Sequence, residues 1–93
     1  MGDLPTVCAQ LTLLNLQGLH ARAAAVFVKA LQGLSAEVQV SWEGRTVNGR
    51  SILDLMTLGA PQGSILGIQI RGVDAMVALA AVTKVVENRF YEK

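Results

Sequence analysis

The chain has 93 residues, 52% of them hydrophobic, with 8 basic and 7 acidic side chains and a net charge of +1. High apolar content with only 16% charge is the opposite of the disordered signature, and it suits one domain over residues 1–93. No run of Lys or Arg offers a nucleic-acid footprint, and one His with one Cys puts the common zinc ligand sets out of reach.

Cys8 has no partner for an internal disulfide, which fits a reducing compartment. The longest uncharged stretch, Leu4 to Leu19, carries Pro5, Thr6, Gln10, Thr12, Asn15 and Gln17. A membrane helix wants about 20 mostly apolar residues, so no membrane insertion is expected. The start Met1-Gly2-Asp3 lacks the basic residues of a secretory signal, and its match to the loose acylation pattern is too short to carry weight. A soluble cytoplasmic protein with no metal and no cofactor is the expectation.

Val7, Ala9, Leu11 and Leu13 alternate with Cys8, Gln10 and Thr12, the period of a half-buried strand. Ala24, Phe27, Val28 and Leu31 then follow helical spacing, and Gly33 stops that helix. Val38, Val40 and Trp42 mark a second strand, which turns at Glu43-Gly44 into a short third strand around Arg45 to Val47. Ser51, with Asp54 three residues later, reads as a capping box for a short helix that Gly59 and Pro61 end. Leu55 and Leu58 are its core positions. Leu66, Ile68 and Ile70 alternate as a fourth strand, and Asp74 caps a last helix with Leu79, Val82, Val86, Arg89 and Phe90 along one stripe. Val73, Met76 and Val77 fall off that stripe and leave apolar surface suited to self-association. The order is βαββαβα. Because every strand alternates, one sheet face is wet and helices cover the other, a two-layer α+β domain.

Gly18-Leu19-His20-Ala21-Arg22 lies where the first strand gives way to the first helix. A helix start presents unpaired N–H groups and the positive end of the dipole, which disfavours added positive charge and welcomes an anion. A neutral imidazole there is a nucleophile, and Arg22 supplies a fork for phosphate oxygens. The plainer reading is a surface or capping histidine. No carboxylate lies within the segment or close to it in sequence. Phosphoryl transfer tolerates that absence better than acyl transfer does.

Gly18-Leu19-His20-Ala21-Arg22, with Arg50-Ser51-Ile52, Leu55-Met56-Thr57-Leu58-Gly59 and Gln62-Gly63, closely resembles the HPr family. These are the histidine-containing phosphocarriers of the bacterial phosphoenolpyruvate-dependent phosphotransferase system. The resemblance runs from about Leu11 to Val86. It implies an open-faced two-layer β-sandwich, a four-stranded antiparallel sheet in order 1-4-2-3 with three helices on one face. It also implies that His20 accepts a phosphoryl group from phosphorylated enzyme I, on Nδ1, and passes it to enzyme IIA domains of sugar permeases, with Arg22 neutralising charge. On this basis the chain is a relay protein rather than a stand-alone turnover enzyme.

By the same resemblance, Ala21, Arg22, Ala25, Ile52, Leu53, Met56 and Thr57 form the docking surface. Ser51 matches the serine that an ATP-dependent HPr kinase/phosphorylase modifies in many members, with regulatory proteins as further partners. Ser51 as a helix cap alone stands beside that reading. So does the wider alternative, a regulatory binding module of the same fold controlled through Ser51 with little or no relay by His20. Four positions depart from the family's usual pattern: Ala23 replaces a proline, Gln17 an asparagine and Leu16 a common proline, while Asp54 adds an acid to the docking helix.

Overall fold

The computed structural model describes residues 4–92, so the acylation pattern at Met1-Gly2-Asp3 lies outside the described residues. Along the chain run β1 (Thr6–Thr12), α1 (Ala21–Ala30), β2 (Glu37–Trp42), β3 (Arg45–Asn48), α2 (Ile52–Thr57), β4 (Ile65–Arg71) and α3 (Ala75–Glu87). A short turn over Arg89–Tyr91 follows. The strands form one antiparallel sheet in the order β1-β4-β2-β3.

Alternation does in space what it promises in sequence. Val7 and Val38 both stand opposite Ile70, and Ala9 and Val40 both stand opposite Ile68, so the apolar rows share a face. Cys8, Gln10, Gln39 and Gln69 point to the open face and are exposed. On the covered face Phe27, Leu31, Leu55, Leu58, Leu66, Val82 and Val86 are buried, each worth about 2 kcal/mol as area removed from water. Glu43 (φ 50°) and Gly44 (φ 76°) are both left-handed, the geometry of a tight hairpin turn between β2 and β3.

Two caps work differently from the sequence expectation. Ser51 Oγ accepts from Asp54 N at 3.1 Å, but the Asp54 carboxylate accepts from Asn48 N at 3.3 Å instead of closing the box. Asp74 occupies the cap position of α3, yet its carboxylate accepts from Ser35 N at 2.6 Å and ties the α1–β2 loop to the start of α3.

The end of the chain is the larger correction. The expected stripe through Arg89 and Phe90 breaks, because α3 stops at Glu87 and Arg89 is exposed. Arg89, Phe90 and Tyr91 instead adopt φ of 55°, 53° and 59°, a left-handed turn built from non-glycine residues. Such a conformation costs roughly 1–2 kcal/mol per residue. Full burial of Phe90 offsets it, and the turn folds the chain back against α1. Val73, Met76 and Val77 are exposed, as their spacing predicts.

Arg50 holds the far end of α1. Its guanidinium donates to Leu31 O at 3.0 Å, Ala36 O at 2.9 Å and Leu34 O, gathering three carbonyls of the connection between α1 and β2. Replacing Arg50 with Met is expected to cost about 2 kcal/mol, since hydrogen bonds to charged groups are worth more than neutral ones. In a domain this size that is a fall in Tm of roughly 10 °C. Lys restores little of it, having no planar fork. Thermal denaturation followed by circular dichroism checks this, and a change under about 2 °C for Arg50→Met contradicts it.

Candidate functional site

The loop between β1 and α1 is stapled to the segment before β4. Leu13 N donates to Ser64 O at 2.9 Å, Gly63 N to Leu13 O at 2.8 Å and Leu19 N to Ala60 O at 2.9 Å. Gln62 Nε2 adds a bond to Leu14 O at 3.0 Å, which gives the Gln62-Gly63 pair a structural reason. Gly18 is required where it stands: its φ is 67°, and a Cβ there would lie 2.8 Å from Pro61 Cα. The residue before His20, Leu19, is buried, so the loop is pinned on both sides of the glycine.

His20 follows as the N-cap of α1, with extended backbone (φ −90°, ψ −176°). Its side chain makes no capping bond, and the first turn of α1 carries no acidic residue. Among the described residues, the N–H groups of Ala21, Arg22 and Ala23 have no intrahelical partner, and the positive end of the helix dipole lies beside the ring. Ala23 is fully buried, so α1 keeps its start without the proline's fixed φ.

The residue that sequence spacing missed is Glu92. Its Oε2 lies 3.0 Å from His20 Nε2 and also accepts from Asn15 Nδ2 at 2.6 Å. Asn15 is buried and sends its second amide hydrogen to Gly18 O at 2.6 Å. The hydrogen bond from His20 holds the Glu92 carboxyl below its ordinary value against the opposing effect of burial, and the Asn15 amide adds to it. An ionised carboxylate only accepts, so Nε2 carries the hydrogen that faces Glu92, and in the neutral ring Nδ1 is left with the lone pair.

Gln17, His20, Arg22 and Glu92 line an open cavity of about 390 Å³. A second depression of about 320 Å³ joins His20 and Ala21 to Met56, Gly59, Ala60 and Pro61. His20 therefore stands in the wall between the C-terminal tail and the α2 side. Arg22 is exposed and, among the described residues, makes no hydrogen bond or ion pair. Ala21, Ala25, Ile52, Leu53, Met56 and Thr57 are all exposed, while Ser51 is half-buried at the start of α2. Among the described residues no group of three acidic, His or Cys side chains suits a metal ion, and no helix is long and apolar enough to cross a membrane.

Comparison with known proteins gives the same answer from an independent side. Residues 7–88 match the PTS-HPr family, described as the PTS HPr component phosphorylation site. Phosphocarrier protein HPr of Xylella fastidiosa (strain Temecula1) is 40% identical over 83 residues, covering 89% of this chain and 93% of the relative. Phosphocarrier protein HPr of Neisseria meningitidis serogroup A is 35% identical over 80 residues, 86% of this chain and 90% of the relative. The crystal structure of HPr-C-His from Thermoanaerobacter tengcongensis superposes with a TM-score of 0.88 at 32% identity, covering 94% of this chain and 98% of that one. With the sheet order, the helical layer and the matched sequence in agreement, the chain belongs to the HPr family of phosphocarriers of the phosphotransferase system.

Proposed function

We propose that His20 is the phosphoryl acceptor, charged on Nδ1 by phosphorylated enzyme I and discharged to enzyme IIA domains of sugar permeases, in the cytoplasm. The observation that carries this reading is the Glu92 carboxylate on Nε2, which leaves Nδ1 as the free nucleophile at the start of α1. A phosphate on Nδ1 is an anion at a helix start whose first-turn N–H groups are unpaired, a favourable place for it. Arg22 lines the same cavity, and its guanidinium neutralises charge that gathers on the phosphoryl oxygens during transfer.

The exposed residues Ala21, Arg22, Ala25, Ile52, Leu53, Met56 and Thr57 are the proposed docking surface. Small side chains on α1 let a partner approach His20 closely, and the apolar ones on α2 supply weak burial suited to brief encounters. Ser51 borders this patch. Phosphorylation there by an ATP-dependent kinase would set about two negative charges at its edge and repel a partner shaped for the neutral helix. The Asp54 backbone N–H already bonds Ser51 Oγ, and the Asp54 carboxylate stands in the same turn, so a phosphate would meet a like charge. That favours relay through His20 over a module controlled by Ser51 alone.

Incubation with enzyme I and phosphoenolpyruvate is expected to place one acid-labile phosphate on the protein, lost in His20→Ala and kept in Ser51→Ala. An acid-stable label on Ser51 with ATP and kinase, and none on His20, would reverse the assignment. Acid stability provides a second check. Because the Glu92 carboxyl is held below its usual 4.5, its contribution is complete above that pH and is lost as pH falls through the folded-state value. The stability gap between wild type and Glu92→Gln is therefore expected to hold above pH 4.5 and to narrow below it in urea titrations.

A further inference from the structure

We infer that Glu92 and Asn15 form a clamp that keeps the proton on His20 Nε2 through both halves of the transfer, which makes Glu92 a positioning residue of the relay. This rests on His20 being the acceptor and adds two residues from outside the motif that carries it.

Asn15 gives the first reason. It continues the inward alternation of Leu11 and Leu13 but places an amide where an apolar side chain would fit, and it is 1% exposed. Burying an amide is costly unless its groups are paired. Both Nδ2 hydrogens are used, on Gly18 O and on Glu92 Oε2, while Oδ1 has no partner among the described residues. The amide therefore ties together the Gly18 carbonyl beneath the site and the Glu92 carboxylate beside the ring. A single carboxylate oxygen is thus fixed between a buried donor and the ring.

The tail supplies the second reason. Glu92 reaches this point only through the left-handed turn at Arg89, Phe90 and Tyr91. Strain of that kind persists where the surrounding structure holds it, and here buried Phe90 and the Glu92 contacts do so.

The chemistry follows without any proton changing hands. As the phosphoryl group arrives, the Nδ1 lone pair forms the N–P bond, and the bond from phosphorus to the donor breaks with its electron pair staying on the donor. The ring then carries hydrogen on Nε2 and a positive charge, which the carboxylate 3.0 Å away balances. On departure the acceptor bonds phosphorus, and the Nδ1–P pair returns to Nδ1. The ring leaves neutral, with the same Nε2–H. Without that hydrogen the leaving group would be an imidazolate anion, and transfer would be slow. Among the described residues, the charged groups facing His20 are Glu92 and Arg22. The α2 side offers Met56, Gly59, Ala60 and Pro61, none of which titrates.

The test uses the full chain with ¹⁵N-labelled histidine, as wild type, Glu92→Gln and Glu92→Ala, with circular dichroism confirming the fold. In the unphosphorylated protein, wild type is expected to hold one tautomer, Nε2–H, and both variants a mixture. After phosphorylation, the pH above which the phosphohistidine loses its Nε2 proton is expected to fall by about one unit in Glu92→Ala. Phosphoryl release then slows about tenfold at a fixed pH above both midpoints. Identical tautomers and midpoints in all three proteins would overturn the clamp. Absence of phosphate on His20 would overturn its place in the relay, and the tautomer readout keeps these two failures distinct.

Discussion

The hydrogen bond from His20 Nε2 to Glu92 Oε2 spans 72 positions of sequence in 3.0 Å, and the site depends on that closure. As an interaction between partly exposed side chains it is worth only about 1 kcal/mol, far too little to order the chain between its ends. The fold does that work. The antiparallel pairing of β1 with β4 stands the β1–α1 loop beside the segment before β4, and three backbone bonds lock them together. Packing of α3 across the sheet then ends near the same loop, and Phe90 turns the tail inward. The contact is a consequence of the core, and the ring's tautomer is a consequence of the contact.

The same geometry explains why the site is shallow. A group that passes between proteins must be reachable by both, so a closed pocket would defeat it. His20 projects from a helix start with open ground on either side, towards the tail and towards α2. Ala21 and Ala25 keep the approach low, and Ile52, Leu53 and Met56 give apolar surface that no described part of the chain covers. Precision comes from beneath. Gly18 fits against Pro61 with no room for a side chain, and Asn15 holds Gly18 O from inside. Arg50 performs a comparable service at the other end of α1, where its guanidinium gathers three carbonyls of the α1–β2 connection.

Period-two alternation made β1, β2 and β4 legible, because each has one wet and one covered face, whereas β3 buries no residue. The hairpin at Glu43-Gly44 was legible from turn chemistry. Gly18-Leu19-His20-Ala21-Arg22 was legible as a helix start with an imidazole and a cation. The tail was not. Nothing local in Arg89-Phe90-Tyr91 signals a left-handed turn, since no glycine stands there, and the helical stripe simply ran on through Phe90. Glu92 was invisible for the same reason: proximity in sequence is the wrong measure for a residue delivered by α3. Asn15 carried a usable sign, an amide at an inward position after Leu11 and Leu13. The helix starts at Ser51 and Asp74 were placed correctly, but the carboxylates of Asp54 and Asp74 answer to Asn48 and Ser35, neighbours that a linear reading does not rank.

On the proposed assignment, the Nδ1 edge of His20 is the reactive one because Glu92 occupies the other. Measuring the ¹⁵N–³¹P coupling of the phosphorylated, ¹⁵N-histidine-labelled protein tests it directly. One phosphorus coupled to Nδ1, with Nε2 still bearing its hydrogen, is the expected result. Coupling to Nε2 would contradict it, because the phosphoryl group would then sit where the carboxylate is bound.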